Sequence, residues 1–148
     1  MQTHSIYISG ELPPDDLSRD FAARLRNEGM RVFCPERFLG YDVISREISG
    51  SDALLALITP VSYSATRQGI EVSLASGYPG VGWEPVPAPR PVFIYATTEL
   101  PGYIHSLDMS PRPPIHVGPA AEDAVATILR YLTTQALALS PDGPNEFT

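Results

Sequence analysis

The stretch ALLALIT, residues 53–59, decides the fold because it is apolar up to its final threonine. A strand that alternates apolar and polar residues has one face in water, whereas an uninterrupted apolar strand has both faces covered. Such strands are typical of parallel sheets that carry helices on both sides. The stretch therefore predicts a central strand of an α/β sheet, with helices and strands alternating around it.

The rest of the chain shows this alternation. Further strands are predicted at SIYIS (5–9), RVFC (31–34), PVFIYA (91–96) and IHV (115–117). Helical patterns lie between them, at about 16–28, 43–49, 66–76 and 120–139. Either Asp15 or Asp16 can cap the first helix, and Gly29 ends it. The pattern predicts a doubly wound, five-stranded parallel sheet of the flavodoxin-like type, with helices on both faces.

The domain organisation follows from the same pattern. Residues 1–139 are predicted to form one domain. Within it, the proline-rich segment PGVGWEPVPAPRP, residues 79–91, predicts an extended loop in place of a helix. Residues 140–148 predict a flexible C-terminal tail.

Composition and charge exclude several classes of function. A net charge of −7 disfavours a surface for nucleic acid or for an anionic membrane, because both attract basic patches. The longest apolar run, residues 53–58, is too short to cross a bilayer, and residues 1–9 lack the features of a signal peptide. The single cysteine, Cys34, suits a reducing compartment. We therefore expect a cytoplasmic protein that binds neither nucleic acid nor membrane.

Candidate ligand-binding residues follow the predicted strands, because open parallel sheets bind ligands beyond the carboxyl ends of their strands. These residues are Ser9, Gly10, Glu11, Arg37, Phe38, Thr59 and Tyr63. Glu71 begins the second turn of the helix after the third strand, and its side chain should lean back toward the same edge. At the edge of a crevice it would have little packing to lose, so we expect its removal to cost about 1 kcal/mol or less.

The order and spacing of these motifs resemble those of bacterial Toll/interleukin-1 receptor (TIR) domains. In that family a Ser-Asp pair opens a hydrophobic strand that ends in Ser/Thr-Pro, and a glutamate follows eleven residues after the proline. Ser51-Asp52, Thr59-Pro60 and Glu71 match this arrangement. IYIS is similar to the family's first strand, FAARLRNEGMRVFCPERFLGYD to its first helix, second strand and following loop, and RPVFIYATTELPGYI to a later strand followed by Leu-Pro. The resemblance covers about residues 5–134.

The resemblance implies one of two functions. Some TIR domains cleave the bond between nicotinamide and ribose in NAD, giving ADP-ribose or a cyclic variant, and others are non-catalytic scaffolds that self-associate. In the enzymatic kind the catalytic glutamate corresponds to Glu71, Ser9 and Gly10 line the pocket, and the Arg37-Phe38 loop closes over the ligand. NAD would be the substrate, with no cofactor or metal. A role in bacterial defence or signalling, with a sensor or effector protein as partner, is implied as well.

Two positions depart from the TIR pattern. Arg67 occupies the place where the family often has tryptophan, and Gly10 replaces an aromatic residue after the first-strand serine. Both changes remove surface on which nicotinamide could stack, although Arg67 could pair with a phosphate instead.

A second family shares the fold and the type of chemistry. IYISG and a glutamate on a helix also resemble nucleoside deoxyribosyltransferases, in which the glutamate attacks the sugar as a nucleophile. That family places Asp-x-Gly-Thr/Ser shortly before the glutamate, and TRQG, residues 66–69, does not supply it. Both enzymatic hypotheses predict N-glycosidic chemistry at Glu71.

Self-association is expected from the loop of residues 37–42. It carries Phe38, Leu39 and Tyr41, and large apolar side chains on a solvent-facing loop are unfavourable unless they are buried. They could pack into the crevice of their own chain or against a neighbouring subunit. In the second case the protein is a homo-oligomer whose neighbour completes the pocket.

Overall fold

The sheet has five parallel strands in the order β2-β1-β3-β4-β5, as the sequence predicts for a doubly wound flavodoxin-like fold. The computed structural model describes residues 3–60, 65–77, 89–109 and 112–139. The strands are β1 (Ser5–Ser9), β2 (Arg31–Phe33), β3 (Ala53–Ile58), β4 (Val92–Ala96) and β5 (Ile115–His116). The strand order reverses at β1, which has β2 on one side and β3 on the other. The carboxyl ends of β1 and β3 therefore form the switch point at which open α/β sheets bind ligands.

Helices alternate with the strands along the chain. They are α1 (Asp16–Asn27), α2 (Tyr41–Ser49), α3 (Ala65–Ser76), α4 (Gly102–His105) and α5 (Ala121–Leu139), with a 3-10 turn at Ser106–Met109. Neither α4 nor the 3-10 turn was predicted, because four-residue helices are too short to show a hydrophobic period. They form because Ile104 and Leu107 are buried against the core. None of the helices in the described ranges is long and apolar enough to cross a bilayer.

Two hydrophobic cores lie on opposite faces of the sheet. Every residue of β3 is buried, which confirms the prediction from its uninterrupted apolar sequence. Because strand side chains alternate, Leu54 points into the core beneath α2 and α3, whereas Leu55 points into the core beneath α1 and α5. On β1, Tyr7 belongs to the first of these cores and Ile8 to the second. Tyr7 and Ser9 therefore share the face of β1 that α3 covers.

The ends of α1 show how local sequence sets the helix boundaries. Asp15, rather than Asp16, is the N-cap: its Oδ1 accepts a hydrogen bond from the backbone nitrogen of Ser18 at 2.9 Å and one from the Ser18 hydroxyl at 2.7 Å. Gly29 follows the helix with φ of +89°, a left-handed conformation that favours glycine. Most of the predicted 79–91 loop and all of the predicted tail, 140–148, lie outside the described residues.

The cap gives a test of the fold. We expect Asp15→Ala to lower the free energy of unfolding by about 1 kcal/mol, because a backbone donor of α1 then lacks its partner. Asp16→Ala is the matched control: it removes an exposed acid from the first turn and should cost less than about 0.5 kcal/mol. Urea denaturation monitored by circular dichroism measures both. Equal losses in the two variants would contradict the assignment of Asp15 as the cap.

Candidate active site

The carboxylate of Glu71 lies at the centre of a buried polar cluster beside the carboxyl end of β1. Its exposed fraction is 0%. Ser9 donates its hydroxyl to Oε1 of Glu71 at 2.6 Å, and the Tyr7 hydroxyl donates to Oε2. Since Tyr7 and Ser9 are two residues apart on a strand, they face α3 together. β1 thus presents two hydroxyl donors to one carboxylate on the helix above it.

Arg67 supplies the positive charge of the cluster. It precedes Glu71 by one helical turn, and its Nη1 lies 2.7 Å from both carboxylate oxygens. Its Nη2 donates to the backbone carbonyl of Gly10, just after β1. The arginine is only 7% exposed, so the ion pair is almost completely removed from water. Each oxygen of Glu71 therefore has one hydroxyl donor and one guanidinium donor.

Burial raises the pKa of both acids of this cluster, and the neighbouring charges oppose the rise for Glu71 but add to it for Tyr7. Burial raises the pKa of Glu71, and the Arg67 guanidinium together with the hydroxyls of Ser9 and Tyr7 opposes this rise. Burial also raises the pKa of Tyr7, and the negative charge of Glu71 raises it further. The Tyr7 phenol therefore stays protonated and acts as a donor to the carboxylate.

Gln68, which follows Arg67 on α3, binds the ends of both β1 and β3. Its Nε2 donates to the carbonyl of Ser9 at 2.9 Å and to that of Leu57 at 3.0 Å. Its Oε1 accepts a hydrogen bond from Tyr103 on α4, at 2.5 Å. Burial raises the pKa of Tyr103 to about 12, so this phenol also remains a donor at neutral pH. The first turns of α3 are thereby attached to the switch point and to α4.

A second carboxyl group lies at the rim of the cluster. Glu11 follows β1, is half-buried, and forms a hydrogen bond with Thr59, which follows β3. Burial raises the pKa of Glu11, Asp15 raises it further, and the charge of Arg67 lowers it. Glu11 is therefore close enough to Arg67 to feel its charge, while remaining in contact with solvent.

The absence of a side chain at Gly10 has a steric reason. A Cβ added there would lie 2.6 Å from the hydroxyl oxygen of Ser18 in α1, closer than real Cβ contacts. The close approach of α1 to the end of β1 thus leaves no room for a side chain at position 10 unless Ser18 shifts.

The structure brings together six of the nine predicted site residues. They are Ser9, Gly10, Glu11, Thr59, Arg67 and Glu71. Arg37 and Phe38 are exposed, on the loop that follows β2, and Tyr63 lies outside the described residues. Phe38 is 50% exposed and packs edge-to-face on Tyr41, with ring centroids 5.2 Å apart.

The prediction that Glu71 sits at the edge of a crevice with little packing to lose is wrong. The carboxylate is enclosed because two hydroxyls from β1 and the guanidinium of Arg67 converge on it. Tyr7, Gln68 and Tyr103 were not among the predicted site residues. The spacing of Tyr7 and Ser9 on one strand was a usable signal for Tyr7, because it places both on one face. No comparable pattern pointed to Gln68 or Tyr103.

A separate cavity of about 340 Å³ lies on the other face of the sheet, between α1 and α5. Its lining consists of Arg24, Asn27, Glu28, Glu122, Val125, Ala126 and Leu129. None of these residues belongs to the cluster around Glu71. Within the described ranges, no three His, Cys, Asp or Glu side chains are grouped so that they could hold a metal ion. The cluster itself offers a carboxylate, a guanidinium and hydroxyl groups.

Comparison with known proteins assigns no family. A scan against protein-family models finds no match, and a search of curated proteins finds no relative. What the chain does is therefore inferred from the residues that meet at the switch point.

The burial of the ion pair predicts a large effect on stability. We expect Glu71→Ala to lower the free energy of unfolding by about 3–5 kcal/mol, because it leaves the Arg67 charge buried without a partner. Asp20→Ala is the matched control, since Asp20 and Arg24 form an exposed pair with the same spacing on α1, at 2.8 Å. It should cost less than about 1 kcal/mol.

A double-mutant cycle separates the ion pair from the rest of the packing. In urea denaturation, Arg67→Met should cost less in the Glu71→Leu background than in the wild type. Arg67→Met alone leaves the Glu71 charge buried without a partner, whereas the double variant contains neither charge. A Glu71→Ala variant that loses no more stability than Asp20→Ala would show that the carboxylate is solvated in solution.

Proposed function

We propose that this chain cleaves the N-glycosidic bond between nicotinamide and ribose in NAD, with Glu71 as the catalytic carboxylate. The observation that carries the proposal is the position of the Glu71–Arg67 pair where the strand order reverses: Glu71 accepts a hydrogen bond from Ser9, and Arg67 donates one to the carbonyl of Gly10. Open α/β sheets bind their ligands at this point. The resemblance of the motif order to TIR domains supports the same residue and the same substrate.

The chemistry requires one well-placed negative charge. Nicotinamide in NAD is cationic, so it leaves as a neutral base with the bonding electron pair and needs no acid. Positive charge grows on C1′ of the ribose as the bond breaks, and a carboxylate stabilises it, as in glycoside hydrolysis. Water then bonds to C1′ and releases a proton, giving nicotinamide, ADP-ribose and H⁺. A nucleophilic atom of the same ADP-ribose, in place of water, gives a cyclic product.

The residues around Glu71 suit this role. Ser9 and Tyr7 hold the carboxylate in one orientation from a buried strand, so little rearrangement is needed during the reaction. The buried position lowers the local dielectric constant and strengthens the interaction with a growing positive charge. Glu11 is half-buried at the rim and would accept hydrogen bonds from ribose hydroxyls. Arg37 and Phe38, on the loop after β2, would cover the ligand.

A second candidate function is that of a non-catalytic interaction module. One observation favours it: both oxygens of Glu71 already have hydrogen-bond donors, an arrangement that buried structural ion pairs require. In that case the cluster holds α3 on β1 and does no chemistry. The two candidates differ in whether NAD is consumed.

The activity test uses Glu71→Gln, which preserves the size of the side chain. We expect kcat/KM for NAD cleavage to fall at least about 100-fold, because the negative charge opposite C1′ is lost. Glu122→Gln, an exposed acid on α5, is the control and should retain activity. Released nicotinamide is measured by chromatography, and circular dichroism checks that each variant is folded.

Three outcomes of this assay decide between the candidates. A folded Glu71→Gln variant that cleaves NAD as fast as the wild type overturns the assignment of Glu71. A wild type that consumes no NAD at any protein concentration favours the interaction module. Exchange of the base on a deoxynucleoside, at a rate above that of NAD loss, favours a deoxyribosyltransferase.

Tyr7 gives a prediction about pH dependence. Its hydrogen bond to Glu71 favours the charged carboxylate and lowers the pKa of Glu71. Tyr7→Phe removes that bond, so the pKa of Glu71 rises and the acid limb of the kcat/KM profile should move to higher pH. Tyr131→Phe, which alters a tyrosine packed against Phe93 on the other face of the sheet, is the control. An acid limb that stays in place in Tyr7→Phe would contradict a functional contact between Tyr7 and the reacting carboxylate.

A further inference from the structure

The arrangement around Glu71 leaves no free position for a substrate hydroxyl. An ionised carboxylate has about four lone-pair sites. Four hydrogen bonds already reach Glu71, one each from Ser9 and Tyr7 and two from Nη1 of Arg67. A ribose can therefore contact the carboxylate only after one of these donors has left.

Arg67 is the donor best able to leave. Tyr7 and Ser9 belong to β1, which is paired on both sides and fully buried at these positions. Arg67 reaches Glu71 on a long, flexible side chain from near the start of α3, and its other nitrogen binds a carbonyl at the very end of β1. Gln68 fastens the same helical turn to two strand carbonyls, so the guanidinium can move while the helix stays in place.

A ligand without an anionic group offers Arg67 no partner that could replace Glu71. Separating the pair would leave two buried charges without partners, which is strongly unfavourable. A phosphate group changes this balance, because guanidinium binds phosphate with the same forked geometry as carboxylate. Glu11 follows Gly10, whose carbonyl binds Arg67, and it is only half-buried, so solvent reaches the cluster close to the guanidinium.

We propose that Arg67 makes the site selective for phosphate-bearing nucleotides: it covers Glu71 at rest and moves to the phosphate of a bound nucleotide, which uncovers the carboxylate. A nucleoside without phosphate leaves Arg67 on Glu71 and is not processed. The inference deepens the proposed function and rests on it for the catalytic part. The exchange of partners by Arg67 can be tested without catalysis.

The kinetic test compares nicotinamide riboside with NAD and nicotinamide mononucleotide. The wild type should cleave the riboside with a kcat/KM about 10- to 100-fold below those of the two phosphate-bearing substrates, the effect of one or two charge-assisted hydrogen bonds. Arg67→Gln should reduce this preference to within about threefold. Arg67→Lys, which keeps the charge and loses the fork, should give an intermediate preference. Arg24→Gln, a change of the exposed arginine on α1, is the control and should keep the full preference.

A binding test on the intact wild type keeps the inference testable if an Arg67 variant fails to fold. Inorganic pyrophosphate should raise the melting temperature of the wild type and of Arg24→Gln above that in sodium chloride of equal ionic strength. It should shift the side-chain Nε–H resonance of one arginine in the wild type, and sequence-specific assignment of the wild-type spectrum should identify that arginine as Arg67. Pyrophosphate that moves no arginine resonance and does not stabilise the wild type overturns the inference.

The two proposals fail in different ways. If the wild type cleaves NAD and the riboside equally well, or if folded Arg67→Gln keeps the full preference for phosphate, the role of Arg67 is wrong and NAD cleavage remains. If no substrate is cleaved while pyrophosphate binds in an Arg67-dependent manner, the catalytic proposal is wrong and the exchange of partners by Arg67 remains.

Discussion

The buried ion pair between Arg67 and Glu71 determines how α3 sits on the sheet. Removing two charges from water costs several kcal/mol for each ion, so such a pair is tolerated only when hydrogen bonds match its remaining donors and acceptors. Ser9, Tyr7 and the carbonyl of Gly10 provide that match from β1. A rotation of the helix, or a slip along the strand by one residue, would break the match. We therefore expect the cluster to favour one orientation of α3 on β1.

The same interaction connects the fold with the proposed chemistry. The parallel order of the strands brings the ends of β1 and β3 together. α3 packs on this part of the sheet, and its Glu71 side chain extends toward β1. An enzyme gains from a charge that is already oriented and shielded from water, because no reorganisation is needed as the reaction proceeds. The same donors restrict access to the carboxylate. When protein donors already bind both of its oxygens, a ligand can contact it only after one donor is displaced. A balance between order and access is common where stability and activity draw on the same residues.

The fold could be predicted from the sequence because its signals are local and repeated. The apolar run of β3 and the helical periods around it gave the strand number and the two covered faces, with most element boundaries within two residues. The 102–109 region had no such period and was missed. In the site, Glu71 lies near the carboxyl end of β1, as the sequence predicts. Its burial was not predicted, because it depends on side chains from β1 and α3 that converge on the carboxylate. Tyr7 looked like an ordinary core residue, since sequence alone does not show that its hydroxyl meets an acid 64 positions later.

Gln68 affects local unfolding at the carboxyl ends of β1 and β3. Its amide satisfies two strand carbonyls on one side and a tyrosine of α4 on the other, so separating any of these elements exposes polar groups of the rest. Local opening free energies rise when elements can be separated only together. We therefore expect one cooperative unit made of the start of α3, the ends of β1 and β3, and α4. Hydrogen exchange should give similar opening free energies for the amides of this unit. Motion at the carboxyl ends of β1 and β3 should then involve side chains, while the backbone there stays hydrogen-bonded.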